Sequence, residues 1–182
     1  MNDTASEDTL APGPLAQELF YTDAAGEPGS PDDIIRDACL EDWEDLEPRA
    51  LELLRDEAAK PYDRFLACTA LVAWGSPDGY TAVQAAADPQ SVPWLGYSVD
   101  RLYDLDDTFG LLAHSVADSR DMAAERGTQK ARYDALAALA PVGLIAALEY
   151  ADPEAARNDA AQLLALDPEN ERVRRALGTL AQ

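Results

Sequence analysis

The sequence predicts an all-α fold, and three observations lead to that class. Apolar residues recur every three or four positions along most of the chain, which is the spacing of one helix face. Prolines stand where several of these stripes begin, and glycines stand where some of them end. No stretch alternates apolar and polar residues as a half-buried strand does. With 182 residues, 47% of them hydrophobic, the chain is long enough to bury a core.

The first thirty residues are expected to form a flexible acidic tail and linker. Residues 1–13 are small, polar and acidic, and a Gly/Pro-rich stretch runs up to residue 31. Between them, residues 14–21 have the composition of a short helix or docking segment. We therefore expect a flexible segment over residues 1–30 and a single helical-repeat domain over residues 31–182.

Four helices are expected to begin at prolines: Pro31, Pro48, Pro61 and Pro77. Ser30 and Ser76 precede two of these prolines and are typical N-cap residues. The third helix is nearly apolar on all sides from Phe65 to Trp74 and ends at Gly75. Because a helix that is apolar all round avoids water, we expect it to be buried.

Further helices are expected beyond a less regular region over residues 88–107. Their apolar stripes begin at Phe109, Ala131, Leu144, Ala156 and Val173. The stripe that begins at Phe109 is expected to continue to a helix end near Gly127. We expect nine to ten helices in all, and the short connections between them favour antiparallel pairs.

Several of these helices share a pattern in which an arginine precedes alanines and leucines at helical offsets. Arg64, Arg132 and Arg157 each lead into such a face. The pattern resembles the first helix of HEAT-like repeats, over about residues 47–182. The resemblance implies an irregular α-solenoid of antiparallel helix pairs, an architecture that usually serves as a binding surface. The arginine spacing is not constant, and residues 163–170 are equally similar to the end of a tetratricopeptide unit.

The chain is expected to be cytoplasmic. Residues 1–13 lack the basic and apolar stretches of a secretory signal. No run approaches the roughly 18 consecutive apolar residues of a membrane span. Cys39 and Cys68 both fall inside helical patterns and do not suggest a disulfide framework.

The charge of the chain excludes some partners and favours others. Thirty-five acidic residues against 14 basic ones give a formal net charge of -21. Residues 1–60 hold 17 acidic and 4 basic side chains, and residues 61–182 hold 18 and 10. Such a field disfavours direct binding to nucleic acid or to an anionic membrane, and it favours a basic protein partner.

Two acidic clusters with aromatic residues among them are the candidate contact sites for that partner. Their members are Asp33, Asp37, Glu41, Asp42, Trp43, Glu44, Asp45, Asp104, Asp106 and Asp107. A tryptophan among carboxylates suits an interface anchor. The alternative for residues 41–47 is a solvated turn between helices with Trp43 in the core, because runs of charge are usually solvated faces. The alternative for the second cluster is that its neighbouring aromatic residues lie in the core, because aromatic residues between helices are more often buried than in contact with a partner.

One motif is similar to a catalytic loop. Residues 103–108 match the Asp-x-Asp-x-Thr loop of haloacid-dehalogenase-type phosphatases, which would make Asp104 the nucleophile and Asp106 the general acid beside a bound Mg²⁺. That loop follows a buried hydrophobic strand, and residues 98–102 lack its composition. A helix start rich in aspartate explains the same letters. A Mg-dependent phosphatase at Asp104 and Asp106 is therefore a remote alternative.

No other reactive centre is indicated, and we expect neither catalysis nor a cofactor or metal ion. His114 is the only histidine, so neither a hydrolytic triad nor a zinc site is supported. A calcium loop starting at Asp104 fails because Gly110 falls one place late and Ser115 stands where a bidentate glutamate is needed.

The sequence therefore predicts a non-catalytic protein-binding module. Its most concrete version is an acidic immunity protein that binds and neutralises a basic, nuclease-type toxin domain, because many immunity proteins of bacterial toxin systems are small, acidic and helical. The alternative is a general HEAT- or tetratricopeptide-like adaptor or assembly factor that binds a protein or peptide in a groove. The oligomeric state stays open.

Overall fold

In a computed structural model of the protein, the described residues are 11–41, 43–87, 99–100, 105–106, 108–139 and the separate positions 157, 158, 161, 164, 165, 168 and 174. Eight helices have defined bounds in this part of the chain: α1 Pro14–Phe20, α2 Pro31–Glu41, α3 Trp43–Arg55, α4 Pro61–Ala73, α5 Pro77–Ala86, α6 Thr108–Asp118, α7 Arg120–Glu125 and α8 Gln129–Leu139. The all-α class is confirmed. The solenoid arrangement and the total of nine to ten helices stay predictions, and most of the chain after residue 139 lies outside the described residues.

Two short strands accompany the helices. β1 (Val99–Asp100) pairs antiparallel with β2 (Leu105–Asp106), so that Val99 lies opposite Asp106 and Asp100 lies opposite Leu105. A strand of two residues is too short to produce the alternation by which strands are recognised in a sequence. For that reason, the sequence pattern did not predict this pair of strands. The pair does not change the fold class.

The chain divides into two compact units, Met1–Ala70 and Leu71–Gln182, and the boundary falls inside α4. The first unit holds α1, α2, α3 and most of α4. The second holds the last turn of α4 and the helices from α5 to α8. The predicted division at residue 30, between a tail and one domain, stays a prediction.

In the first unit, α1 packs against α2 and α3. Its side chains Ala16, Leu19 and Phe20 lie on one face at helical spacing and are buried. An ion pair of 2.7 Å between Arg49 Nη2 and Glu18 Oε2 also joins α3 to α1. The expected short helix before the Gly/Pro-rich stretch is thus present. Because a helix of 7 residues is not stable alone in water, this packing holds it in place.

Polar contacts fix the chain just before α1. The Gly13 N–H donates to Asp63 Oδ2 at 2.9 Å, and Lys60 Nζ donates to the Ala11 carbonyl at 2.7 Å. Asp63 lies in the first turn of α4, and Lys60 lies directly before that turn. The start of α4 therefore holds residues 11–13 through both a carboxylate and an ammonium group.

Three of the four proline starts are correct: Pro31, Pro61 and Pro77. The start predicted at Pro48 is wrong, because α3 begins at Trp43 and Pro48 lies inside it. A proline in a helix removes one backbone hydrogen bond, here the one to the Glu44 carbonyl. Pro48 and Glu44 are both exposed, so water can replace that bond.

The two predicted N-cap serines behave differently. Ser30 Oγ accepts the Asp33 N–H at 3.3 Å and donates its own proton to Asp33 Oδ2 at 2.7 Å, which closes the start of α2. Ser76 stands at the N-cap of α5 but makes no capping bond through its side chain. Its Oγ is buried and has no hydrogen-bond partner.

Helices α4 and α7 end in the same way. Gly75 has φ +70° and Gly127 has φ +69°, the left-handed conformation that favours glycine. After α4, the Gly75 N–H donates to the Val72 carbonyl and the Ser76 N–H donates to the Leu71 carbonyl. The equivalent pair of bonds follows α7. Both ends are therefore Schellman motifs, as the glycines predicted.

In the second unit, α8 packs against α5, α6 and α7. The largest buried apolar side chains of these helices are Tyr80, Val83, Leu112, Val116, Leu136 and Leu139. The single helix predicted from Phe109 to Gly127 is wrong, because the chain breaks at Ser119 into α6 and α7. Ser119 Oγ donates to the Val116 carbonyl at 2.9 Å and lies 2.7 Å from Tyr80 Oη. A hydroxyl that bonds the backbone competes with the helix, and this explains the break.

Two arginines at matching positions close the ends of other helices. Arg64 and Arg132 are each the fourth residue of their helix. Arg64 Nε donates to the Leu54 carbonyl at 2.9 Å at the end of α3. Arg132 donates to the Val116 and Ala117 carbonyls at 2.8 and 2.6 Å at the end of α6. Cations stabilise helix C-termini, so these two members of the repeated pattern share a structural role.

Candidate partner-binding surface

One side of α2 carries charged residues and one leucine on an exposed face. Asp33, Arg36, Asp37 and Leu40 follow each other at the spacing of one helix face, and all four are exposed. We call these four residues the α2 outer face. The opposite side of the helix is buried through Ile35 and Ala38. The burial of these two residues fixes which side of α2 faces water.

The arginine of the α2 outer face is shared between the two aspartates. Arg36 Nη2 lies 2.6 Å from Asp33 Oδ1, and Arg36 Nε lies 3.6 Å from Asp37 Oδ1. Hydrogen bonds from Ser30 and Arg36 lower the pKa of Asp33, and the charge of Arg36 adds to this effect. The same contact with Asp33 raises the pKa of Arg36. This face therefore carries two aspartate side chains around one guanidinium.

Leu40 is the apolar member of this face. Its exposed fraction is 81%, and the other large apolar side chain exposed among the described residues, Leu111 on α6, reaches 41%. A single exposed leucine is common on protein surfaces. Leu40 differs because it stands one helical turn from the Asp37 carboxylate and three residues before Trp43.

The residues that open α3 extend the acidic surface. Glu44 and Asp45 are exposed in the first turn of α3, and Trp43 beside them is half-buried. Carboxylates are favoured at a helix N-terminus because the backbone N–H groups there carry partial positive charge. Helix stability alone can therefore explain the position of these two acids. The alternative of a turn over residues 41–47 is wrong for residues 43–47, which belong to α3, and Trp43 is half-buried and not among the core residues.

The structure brings together only part of the predicted contact residues. Asp33 and Asp37 lie on α2, and Glu44 and Asp45 lie on α3, whose N-terminus follows α2 in the chain. Three predicted members lie outside the described residues, and two more have described backbone only. The first three are Asp42, Asp104 and Asp107, and the other two are Glu41 and Asp106. The second acidic cluster and the phosphatase alternative therefore stay predictions.

Two members of the α2 outer face were not among the predicted contact residues. Arg36 is basic and does not belong to the acidic and aromatic pattern that predicted the contact residues. Leu40 did carry a signal, because it lies outside the apolar stripe of α2 and at i+7 from Asp33. Only the structure shows that Arg36 contacts both aspartates.

The cysteines, the histidine and possible metal ligands are the groups among the described residues that bear on reactivity. Burial raises the pKa of Cys68 to about 12, and burial also raises the pKa of Cys39, so both thiols disfavour the reactive thiolate. His114 Nε2 lies 3.0 Å from Asp118 Oδ2 on the exposed side of α6. Among the described residues there is no group of three or more potential metal ligands, and no helix that could cross a membrane.

The most buried carboxylate among the described residues is that of Asp63, in the first turn of α4. Asp63 Oδ1 is buried and has no hydrogen-bond partner, although Oδ2 accepts the Gly13 N–H. Nearby, burial raises the pKa of Tyr21 to about 12, with further contributions from Tyr62 and then Asp63. Because Asp63 already holds the segment before α1, the known contacts give it a structural role.

No protein-family model, curated protein or solved structure matches this chain. The resemblance to HEAT-like repeats therefore stays a prediction.

Proposed function

We propose that the protein is a non-catalytic binding module for a basic protein partner. In its most concrete form it is an immunity protein that neutralises a cationic, nuclease-type toxin domain. The observation that carries this proposal is the exposed acidic surface of α2 and α3 on a helical protein of net charge -21.

Electrostatics explain how such a module would act. A nuclease domain that binds nucleic acid carries a basic surface for phosphates. The carboxylates on the helical surface of this protein can cover the basic surface of the nuclease domain, in place of the phosphate backbone of nucleic acid. Complementary charge raises the rate of encounter, and apolar contacts at the centre of an interface slow dissociation.

The test is a nuclease inhibition assay with a purified basic nuclease domain encoded beside the gene of this chain. We expect equimolar protein to abolish cleavage of plasmid DNA and to form a 1:1 complex in size-exclusion chromatography with light scattering. The proposal would be wrong if cleavage at low salt were unchanged by an excess of the protein over the nuclease domain.

Two charge-reversal substitutions test whether Glu44 and Asp45 contribute to binding. Glu44→Lys with Asp45→Lys should weaken inhibition by at least tenfold, because loss of charge complementarity costs more than 1.4 kcal/mol in a direct contact. The matched control is Asp121→Lys with Glu125→Lys, an exposed acidic pair on α7 with the same change in net charge. Equal weakening by both pairs would leave only a non-specific charge effect and favour the adaptor alternative.

A further inference from the structure

We propose that the α2 outer face is the docking site, and that its partner presents an apolar side chain beside lysines or arginines on a helix. Leu40 is the apolar anchor, and Arg36 is an internal counter-ion that the partner's cations must displace. This inference rests on the proposed function and adds a specific site, a partner chemistry and a means of control.

The geometry of α2 supports a helical partner. Asp33, Asp37 and Leu40 lie on one face of the helix, at i, i+4 and i+7. Two packed helices meet through such faces, where side chains at three- and four-residue spacing interdigitate. A partner helix with the same spacing would set its cations against the two aspartates and its apolar residue against Leu40.

The charges decide between classes of partner. Asp33 and Asp37 share the α2 outer face with Leu40, Glu44 and Asp45 are exposed at the start of α3, and the whole chain is strongly acidic. An anionic membrane or a nucleic acid would be repelled. A purely apolar partner would strip water from Asp33 and Asp37 without replacing it. A cationic amphipathic helix satisfies both the carboxylates and the leucine.

Arg36 limits the affinity of the α2 outer face for a cationic partner. In the protein alone its guanidinium contacts Asp33 at 2.6 Å and Asp37 at 3.6 Å, so both carboxylates already have a cation beside them. An incoming lysine or arginine must move Arg36 away or share the carboxylates with it. Removal of Arg36 should therefore strengthen binding, although it removes a side chain from the contact surface.

The experiment measures the binding of two labelled helical peptides by fluorescence anisotropy at low salt. One peptide is an amphipathic Leu/Lys helix, and the other has alanine in place of each leucine and the same charge. Leu40→Ala should weaken binding of the Leu/Lys peptide about fivefold and leave the Ala/Lys peptide unchanged. The matched control Leu111→Ala removes the other exposed leucine and should change neither affinity.

Arg36→Gln should raise the affinity for both peptides about threefold, as expected for two carboxylates released from an exposed ion pair. Its matched control is Lys130→Gln, which removes the same charge from an exposed pair on α8, where Lys130 Nζ lies 2.7 Å from Asp134 Oδ2. A general charge effect would raise affinity equally in both variants. All four substituted residues are outside the core, and circular dichroism checks that each variant is folded.

The outcomes separate this inference from the proposed function. It is overturned if Leu40→Ala matches Leu111→Ala, or if Arg36→Gln gains no more than Lys130→Gln. Nuclease inhibition could persist in that case, with the partner bound at another acidic surface. If the peptides behave as expected but the basic nuclease domain is not inhibited, the docking site stands and the immunity role fails.

Discussion

At the scale of single residues, Arg132 shows how a positive charge is held inside a strongly acidic protein. Its side chain is 1% exposed and donates to the carbonyls of Val116 and Ala117 at the end of α6. These carbonyls have no partner within the helix. The guanidinium therefore satisfies two buried acceptors and places its charge where the helix dipole is negative.

We expect Arg132→Leu to lower the free energy of unfolding by about 3 kcal/mol, because it removes two buried hydrogen bonds to the Val116 and Ala117 carbonyls and the positive charge at the end of α6. Urea denaturation followed by circular dichroism measures the change. Lys130→Gln, on the exposed side of the same helix, should change stability by less than about 0.5 kcal/mol. If Arg132→Leu were as mild as this control, Arg132 would not be needed to cap α6.

The sequence predicted part of this residue-scale picture. The arginine pattern was visible at Arg64 and Arg132, but the carbonyls that they reach come from earlier helices, which local spacing cannot identify. The aspartates of the α2 outer face were predicted as contacts from composition. Their sharing of Arg36 was not, because it depends on side-chain conformations that the helical period does not determine.

At the scale of elements, the ends of α4 and α7 offer a matched comparison. Gly75 and Gly127 have nearly the same positive φ, but their surroundings differ. A Cβ on Gly75 would lie 2.9 Å from the Met122 carbonyl carbon of the backbone, whereas a Cβ on Gly127 would meet nothing within 4 Å. At the end of α4, the Arg126 guanidinium also donates a hydrogen bond to the Trp74 carbonyl, and the Thr128 hydroxyl donates one to the Gly75 carbonyl.

We expect Gly127→Ala to cost about 1 kcal/mol, which is the cost of a left-handed conformation for a residue with a Cβ. Gly75→Ala should cost at least twice as much, because backbone atoms of α7 must also move. Urea denaturation of both variants gives the two values. Equal costs would mean that α4 and α7 do not approach as closely as the structure has them.

Helix boundaries were predicted correctly where a residue at the boundary itself determines it. Examples are the helix start at Pro61 and the helix end at Gly75. Pro48 failed because a helix tolerates proline where water can replace the lost bond. The break at Ser119 could not be predicted, since it involves Tyr80 from a distant helix.

At the scale of the whole molecule, the net charge follows directly from the sequence, and the fold class was predicted from it. A chain of net charge -21 folds here because its apolar residues repeat at helical spacing and, with one exception, the carboxylates of the described residues remain accessible to water. Asp63 is the buried exception among the described carboxylates, and it is held by the Gly13 N–H. Composition also predicts the sign of a partner's charge, and this stays a prediction.

We propose that the fixed negative surface of this protein recruits a cationic protein. Stopped-flow measurement of association with the basic nuclease domain, over a range of NaCl concentrations, tests this proposal. The association rate constant should fall at least tenfold between about 50 and 500 mM salt, while the dissociation rate constant changes little. An association rate constant that does not depend on salt would contradict the account.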